Sequence, residues 1–126
     1  MKRTIRFRVA FGLALGGLLA APPAAAQPVP AQTLASALAD GKPWGFRVPD
    51  GKTGTFIFHK DGTGQMTSGS FNLKIKWRVD GERFCIAMGL LLGTKCLSAN
   101  HIRGGYQTLE SGKNAFTFTR QDAAAR

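Results

Sequence analysis

Few side chains in this sequence could do chemistry, and the two histidines, His59 and His101, come first. His59 stands two residues before Asp61. On an extended strand that spacing puts both side chains on one face, where a carboxylate could orient an imidazole acid or base. Asp61 also opens the turn sequence Asp61-Gly62, and Asp is favoured there because it hydrogen-bonds the local backbone. The turn role is the one expected. No Ser or Cys stands in a recognisable nucleophile motif, and the seven carboxylates are scattered, mostly at turn positions. Gly62-x-Gly64 reads as a hairpin, not as the strand-to-helix loop that holds phosphate. A metal site made from the histidines and Asp61 is the weaker alternative. The expectation is therefore a protein that is not an enzyme and carries neither metal nor cofactor.

The cysteines, Cys85 and Cys96, point to a compartment. Lys2, Arg3, Arg6 and Arg8 precede an apolar run from Val9 to Ala21, followed by Pro22-Pro23 and Ala24-Ala25-Ala26. A charged start, a short apolar stretch and small residues at a cleavage point form a secretory signal. The run is shorter than the roughly 20 residues that span a bilayer, so residues 1–26 are expected to be removed, with no anchor left behind. An even cysteine count in an exported chain favours a Cys85–Cys96 disulfide. A metal role is disfavoured, since no second pair stands at finger-like spacing. The expected location is periplasmic or secreted. Loss of four of the 17 basic residues with the signal lowers the formal charge from +10 to +6. A moderately basic exported protein suits an anionic envelope component or an acidic protein as partner. Nucleic acid is not expected, because export removes access to it.

Lys74, Lys76, Arg78 and Arg83 are the candidate binding residues. They belong to the most regular segment, Phe71 to Val79, where Phe71, Leu73, Ile75, Trp77 and Val79 alternate with Asn72, Lys74, Lys76 and Arg78. That is a half-buried antiparallel strand with a cationic outer side. Asp80-Gly81 is a strong hairpin signal. A two-residue loop there pairs Trp77 with Phe84, Ile75 with Ile86 and Leu73 with Met88, and puts Arg78 opposite Arg83 and Lys76 opposite Cys85. The disulfide is then expected on the outer face beside Lys76. Leu90, Leu91 and Leu92, between Gly89 and Gly93, form an apolar hairpin tip. They are expected to fold over the barrel end and close the core; the alternative is a ligand-gating or membrane-touching loop.

The elements that position these residues follow from periodicity. Gln27 to Ala31 reads as a Pro-rich mobile leader. Thr33 can cap a short helix with Leu34, Ala37 and Leu38 apolar, stopped by Gly41 and Pro43. Period-two segments follow: Trp44 to Val48, Thr53 to His59, a return near Gln65, Phe71 to Val79, Phe84 to Met88, Thr94 to Ile102, Tyr106 to Leu109 and Ala115 to Arg120. Around Asp61-Gly62, Phe58 is expected opposite Gln65 or, better for a buried face, Met66. The predicted class is all-β: an up-and-down antiparallel meander of about eight strands, closed or flattened into a barrel, with a short N-terminal helix. The expected organisation is a signal over 1–26, leader and helix over 27–41, barrel over 42–120 and a frayed tail over 121–126.

Gly41-Lys42-Pro43-Trp44, Phe58-His59-Lys60-Asp61-Gly62-Thr63, Trp77-Arg78-Val79-Asp80-Gly81, Phe84-Cys85 and Cys96 together resemble a group of small exported proteobacterial proteins of unknown function. That resemblance implies no particular activity and assigns no catalytic residue. A looser likeness is to lipocalin- and avidin-like barrels, which imply an up-and-down barrel with room for a small ligand; here the spacing is Gly41-x-x-Trp44, not Gly-x-Trp. Small periplasmic protease inhibitors are also similar in size, barrel type and single disulfide, and imply an inhibitory N-terminal segment at Gln27–Gly41. The expected function is thus a non-catalytic envelope protein that binds a small ligand or anionic partner. An inhibitor of a secreted hydrolase is the alternative.

Overall fold

A computed structural model describes residues 27–121. The expected signal, 1–26, and the residues after Gln121 lie outside the described residues. Nine strands and two helices follow in chain order: β1 (Gln27–Val29), α1 (Ala31–Leu38), β2 (Trp44–Arg47), β3 (Thr53–Phe58), β4 (Thr63–Ser68), β5 (Phe71–Asp80), β6 (Arg83–Ala87), α2 (Gly89–Leu92), β7 (Thr94–Ile102), β8 (Gly105–Glu110) and β9 (Lys113–Arg120). Strands β2 to β9 pair in sequence order, all antiparallel, and β9 returns to pair with β2. This is a closed eight-stranded up-and-down barrel, which removes the exposed edges of an open sheet.

β1 is the ninth strand. The leader does not stand apart: Gln27, Pro28 and Val29 pair with His101, Asn100 and Ala99 of β7. One edge of that stretch of β7 belongs to β8. β1 therefore takes the edge that β6 leaves free beyond its own pairing at residues 94–97. The following helix begins at Ala31, after Pro30, three residues earlier than a Thr33 cap would place it. Ala31, Leu34, Ala35 and Leu38, rather than Ala37, form its buried face. α1 packs against β5, β6 and β7 and plugs the barrel end carrying the β3–β4, β5–β6 and β7–β8 turns.

The interior is filled with aromatic rings. Phe56 is fully buried at the centre, with ring centroids 5.0 Å from Phe46, 5.1 Å from Phe58, 5.3 Å from Phe116 and 5.6 Å from Phe118. Phe116 and Phe118 meet it edge-to-face, the arrangement that opposes a positive ring edge to a negative ring face, and Phe58 stacks on it. Ile75, Phe84, Ile86, Met88 and Leu97 complete the packing, with Leu34 and Leu38 from α1.

The inward and outward faces are as the alternation predicts, but two registers differ from expectation. The β5–β6 loop is Gly81-Glu82, not Asp80-Gly81: Asp80 pairs Arg83, Val79 pairs Phe84, Arg78 pairs Cys85 and Trp77 pairs Ile86. Gly81 has φ 62°, the positive value that the first loop position of a type II′ hairpin requires. At the β3–β4 turn Phe58 faces Gly64, and Met66 faces Phe56. A Cβ on Gly64 would lie 2.3 Å from the Ile57 carbonyl oxygen and 3.2 Å from the Ile75 side chain. Only glycine fits opposite Phe58, and the connection that places it there is the three-residue loop Lys60-Asp61-Gly62, closed by the His59 N–H donating to the Thr63 carbonyl at 2.8 Å.

Two polar contacts complete the barrel wall. A bulge lies between Gln107 and Leu109 where β8 meets β9. The Thr108 hydroxyl donates to the Phe116 carbonyl at 2.7 Å and accepts from the Phe116 N–H at 2.9 Å, satisfying backbone groups that the bulge unpairs. At the β2–β9 seam, Arg120 lies 4.3 Å over the Trp44 ring and donates to the Asp40 carboxylate. Asp40 also accepts from the Lys42 N–H at 2.9 Å. Partial burial opposes ionisation of Asp40, but the Lys42 N–H and the Arg120 guanidinium outweigh it and hold its carboxyl below the usual range. A group whose folded pKa is depressed stabilises the fold above its unfolded pKa, about 3.9, and stops doing so as pH falls through the folded value. Asp40→Asn keeps the acceptor but removes the charge. It should cost about 1 kcal/mol at neutral pH, and urea titrations at falling pH should show that difference closing below about pH 4.

Candidate functional site

The four cationic residues expected to share one stripe do share the outer barrel face, but they divide into two pairs. Lys74 and Lys76 project outward from the middle of β5, both exposed. Lys74 pairs in register with Gln65 and Lys76 with Thr63 on β4, while Lys76 faces Ala87 on β6. With His59 and Gly89, these residues line a surface groove of about 600 Å³. Neither lysine has a carboxylate within ion-pair distance among the described residues, where ion pairs are Lys52–Asp50, Arg78–Asp80, Lys95–Glu110 and Arg120–Asp40. Two residues along a strand is about 7 Å, so the groove presents two uncompensated ammonium groups at a spacing one polyanion can bridge.

Arg78 and Arg83 behave differently. The two-residue change of register removes the expected Arg78–Arg83 opposition: Arg78 lies opposite Cys85 and Arg83 opposite Asp80. Arg78 reaches Asp80 at 3.8 Å. The like-charge repulsion that would have argued for a partner at this point is absent. Asp80 compensates Arg78, while Arg83, like Lys74 and Lys76, has no carboxylate within ion-pair distance among the described residues.

Cys85 and Cys96 form the disulfide and pair directly across β6 and β7. It lies on the outer face, opposite in strand phase to Phe84 and Ile86, and Cys85 stands outside the hydrophobic core cluster although it is 1% exposed. Its neighbour on β5 is Arg78, not Lys76.

His59 and Asp61 belong to the β3–β4 turn. Asp61 accepts from the Thr63 N–H at 3.0 Å and the Thr63 hydroxyl at 2.6 Å; these bonds hold its carboxyl below the usual range. The His59 N–H donates to Thr63 at 2.8 Å, and the His59 carbonyl accepts from the Trp77 indole at 2.7 Å. Trp77 thereby ties this turn to the end of β5 under α1. His101 sits on β7 with its ring edge-on to Tyr106 at 5.3 Å. Among the described residues no three His, Cys, Asp or Glu side chains cluster as metal ligands.

The leucine tip departs most from expectation. Leu90 is 104% and Leu91 97% exposed, and Leu92 44%. They do not fold over the barrel end. Met88, 2% exposed and just past the end of β6, is the last residue turned into the core before the tip. The next residues form the single turn α2, closed by the Gly93 N–H bonding to the Gly89 carbonyl at 2.7 Å. Phe71, expected on the buried face of its strand, is 48% exposed: it is in phase with Ile75 but stands beyond the end of the packed interior. The chain gives no match to any protein-family model, to any curated protein or to any solved structure with which it was compared.

Proposed function

We propose that this is a non-catalytic exported envelope protein that recognises an anionic partner on the outside of its barrel, through Lys74 and Lys76. The observation that carries this is the pair of uncompensated lysines over a groove on β4 and β5, next to a core with its interior occupied by phenylalanines. A packed barrel binds through its surface, and fixed positive charge there selects negative partners. An inhibitory role for the N-terminal segment is the lesser proposal, since Gln27–Val29 is engaged as β1 on β7.

The test is sedimentation of the protein with isolated bacterial envelope fractions at low and high salt. Reversing both charges, Lys74→Glu with Lys76→Glu, should weaken association roughly 10- to 100-fold, at about 1 kcal/mol for each lysine lost near an anionic surface. Thermal stability should be unchanged, because both side chains are exposed. Equal sedimentation of parent and double variant would remove this face from the proposal.

A further inference from the structure

The surface feature that the lysine groove leaves unexplained is the apolar tip. Turns β2–β3, β4–β5 and β8–β9 share one barrel end with α2, opposite the end plugged by α1. Leu90, Leu91, Leu92 and Phe71 are the large apolar side chains exposed among the described residues, and all four stand at this end. α2 lies against the strand that Phe71 begins: a Cβ on Gly89 would lie 4.0 Å from the Leu73 side chain, two residues along β5 from Phe71. Large apolar groups gathered at one protruding tip are unusual on a monomeric surface and mark an interaction site.

We infer that this tip inserts into an anionic phospholipid bilayer, with Lys74 and Lys76 binding the headgroups above it. The inference rests on the anionic-partner proposal and names the partner. Three features favour a membrane. First, the apolar group is convex, a single helical turn standing clear of the barrel. A fluid hydrocarbon phase accepts such a shape without a matching pocket. Second, the heights agree. Lys74 is three residues along β5 from Phe71, about 10 Å, and Lys76 about 17 Å. A tip buried 5–10 Å, as interfacial segments are, brings Lys74 to the phosphates and keeps Lys76 within roughly two Debye lengths. Third, the charge is right. The carboxylates at this end, Asp50 and Glu110, each already face a lysine, Lys52 and Lys95; Lys113, in the β8–β9 hairpin, has no ion pair among the described residues. A second copy docked tip to tip would oppose these uncompensated lysines, whereas anionic headgroups attract them. α2 is a single turn of four residues, far shorter than a span, so the contact it makes is interfacial.

The experiment uses the chain from Gln27 onward, which contains the closed barrel and the core cluster of the described residues. It should sediment with phosphatidylglycerol–phosphatidylethanolamine vesicles and not with phosphatidylcholine vesicles. Leu90→Ser with Leu91→Ser should weaken binding about 10-fold or more, since it removes most of the inserted apolar area. The same variant should keep parental thermal stability, because neither leucine is buried. Leu91→Trp gives a depth readout: brominated acyl chains should quench it on anionic vesicles. Unquenched tryptophan, or equal binding by parent and serine variant, overturns insertion. Charge-dependent binding to envelope fractions without binding to pure lipid vesicles overturns the bilayer as partner while the lysine proposal stands, and points to a protein or glycan. A concentration-dependent dimer abolished by the serine pair overturns it in favour of a second copy.

Discussion

Replacing Phe56 with Ala is expected to destabilise the domain by about 3–5 kcal/mol, the range for deleting a buried phenylalanine. Phe56 is fully buried and touches four other phenylalanine rings on β2, β3 and β9. Its loss opens a void that these rings cannot all move to fill, because each is held by its own strand. A domain of this size has a total stability of about 5–15 kcal/mol, so the variant should melt roughly 12–40 °C lower or fail to fold. Phe56→Leu keeps much of the volume and should cost far less, about 1–2 kcal/mol. Thermal unfolding followed by circular dichroism compares the three proteins. A loss below about 1 kcal/mol for the alanine variant would contradict a packed interior and reopen the barrel as a ligand cavity.

Breaking the Cys85–Cys96 bond should cost roughly 3 kcal/mol through the freedom returned to the unfolded chain. The cross-link closes a loop of sequence separation 11. That loop is the excursion from β6 through α2 to β7, so the staple also braces the tip carrying Leu90 and Leu91. Cys85→Ala with Cys96→Ala avoids leaving a hydroxyl at the covered Cys85 position. Its urea midpoint should fall, and reductant should lower the parent's midpoint to nearly the same value while leaving the variant's unchanged. A parent indifferent to reductant would show that the bond is not a source of stability.

Much of the barrel was legible because its strands bury one face. Phe71 to Val79 alternates so regularly that its inner and outer sides could be assigned from the sequence, and Lys74, Lys76 and Arg78 do lie outside. The β5–β6 register was two residues from the expected one, and the faces survived the difference because side-chain orientation repeats every two residues. Apolar pairing could not choose between the two: Trp77 opposite Phe84 and Trp77 opposite Ile86 are both acceptable. In the folded barrel Trp77 pairs Ile86, and its ring still stacks on Phe84 at 5.5 Å, a diagonal contact within reach of aromatic side chains. Charge pairing was not legible for the same reason. Asp80 was expected in the loop, yet it stands opposite Arg83 in register and forms its ion pair with Arg78.

The segments misread are those whose environment comes from distant parts of the chain. Gln27–Val29, with two prolines close by, carries no strand pattern and is a strand because β7 offers it a free edge. The Asp40–Arg120–Trp44 arrangement joins residues 80 positions apart and exists because β2 and β9 close the barrel.

The disulfide-stapled β domain with a cationic outer strand was determined by the sequence alone, through period-two alternation, turn residues and an even cysteine count, all of which are local or nearly so. Whether the leucines of Gly89–Leu92 closed the core or left it was decided only by the tertiary structure. An apolar side chain is buried only where the fold leaves space, and Met88, Ile75 and the phenylalanine rings had already taken that space.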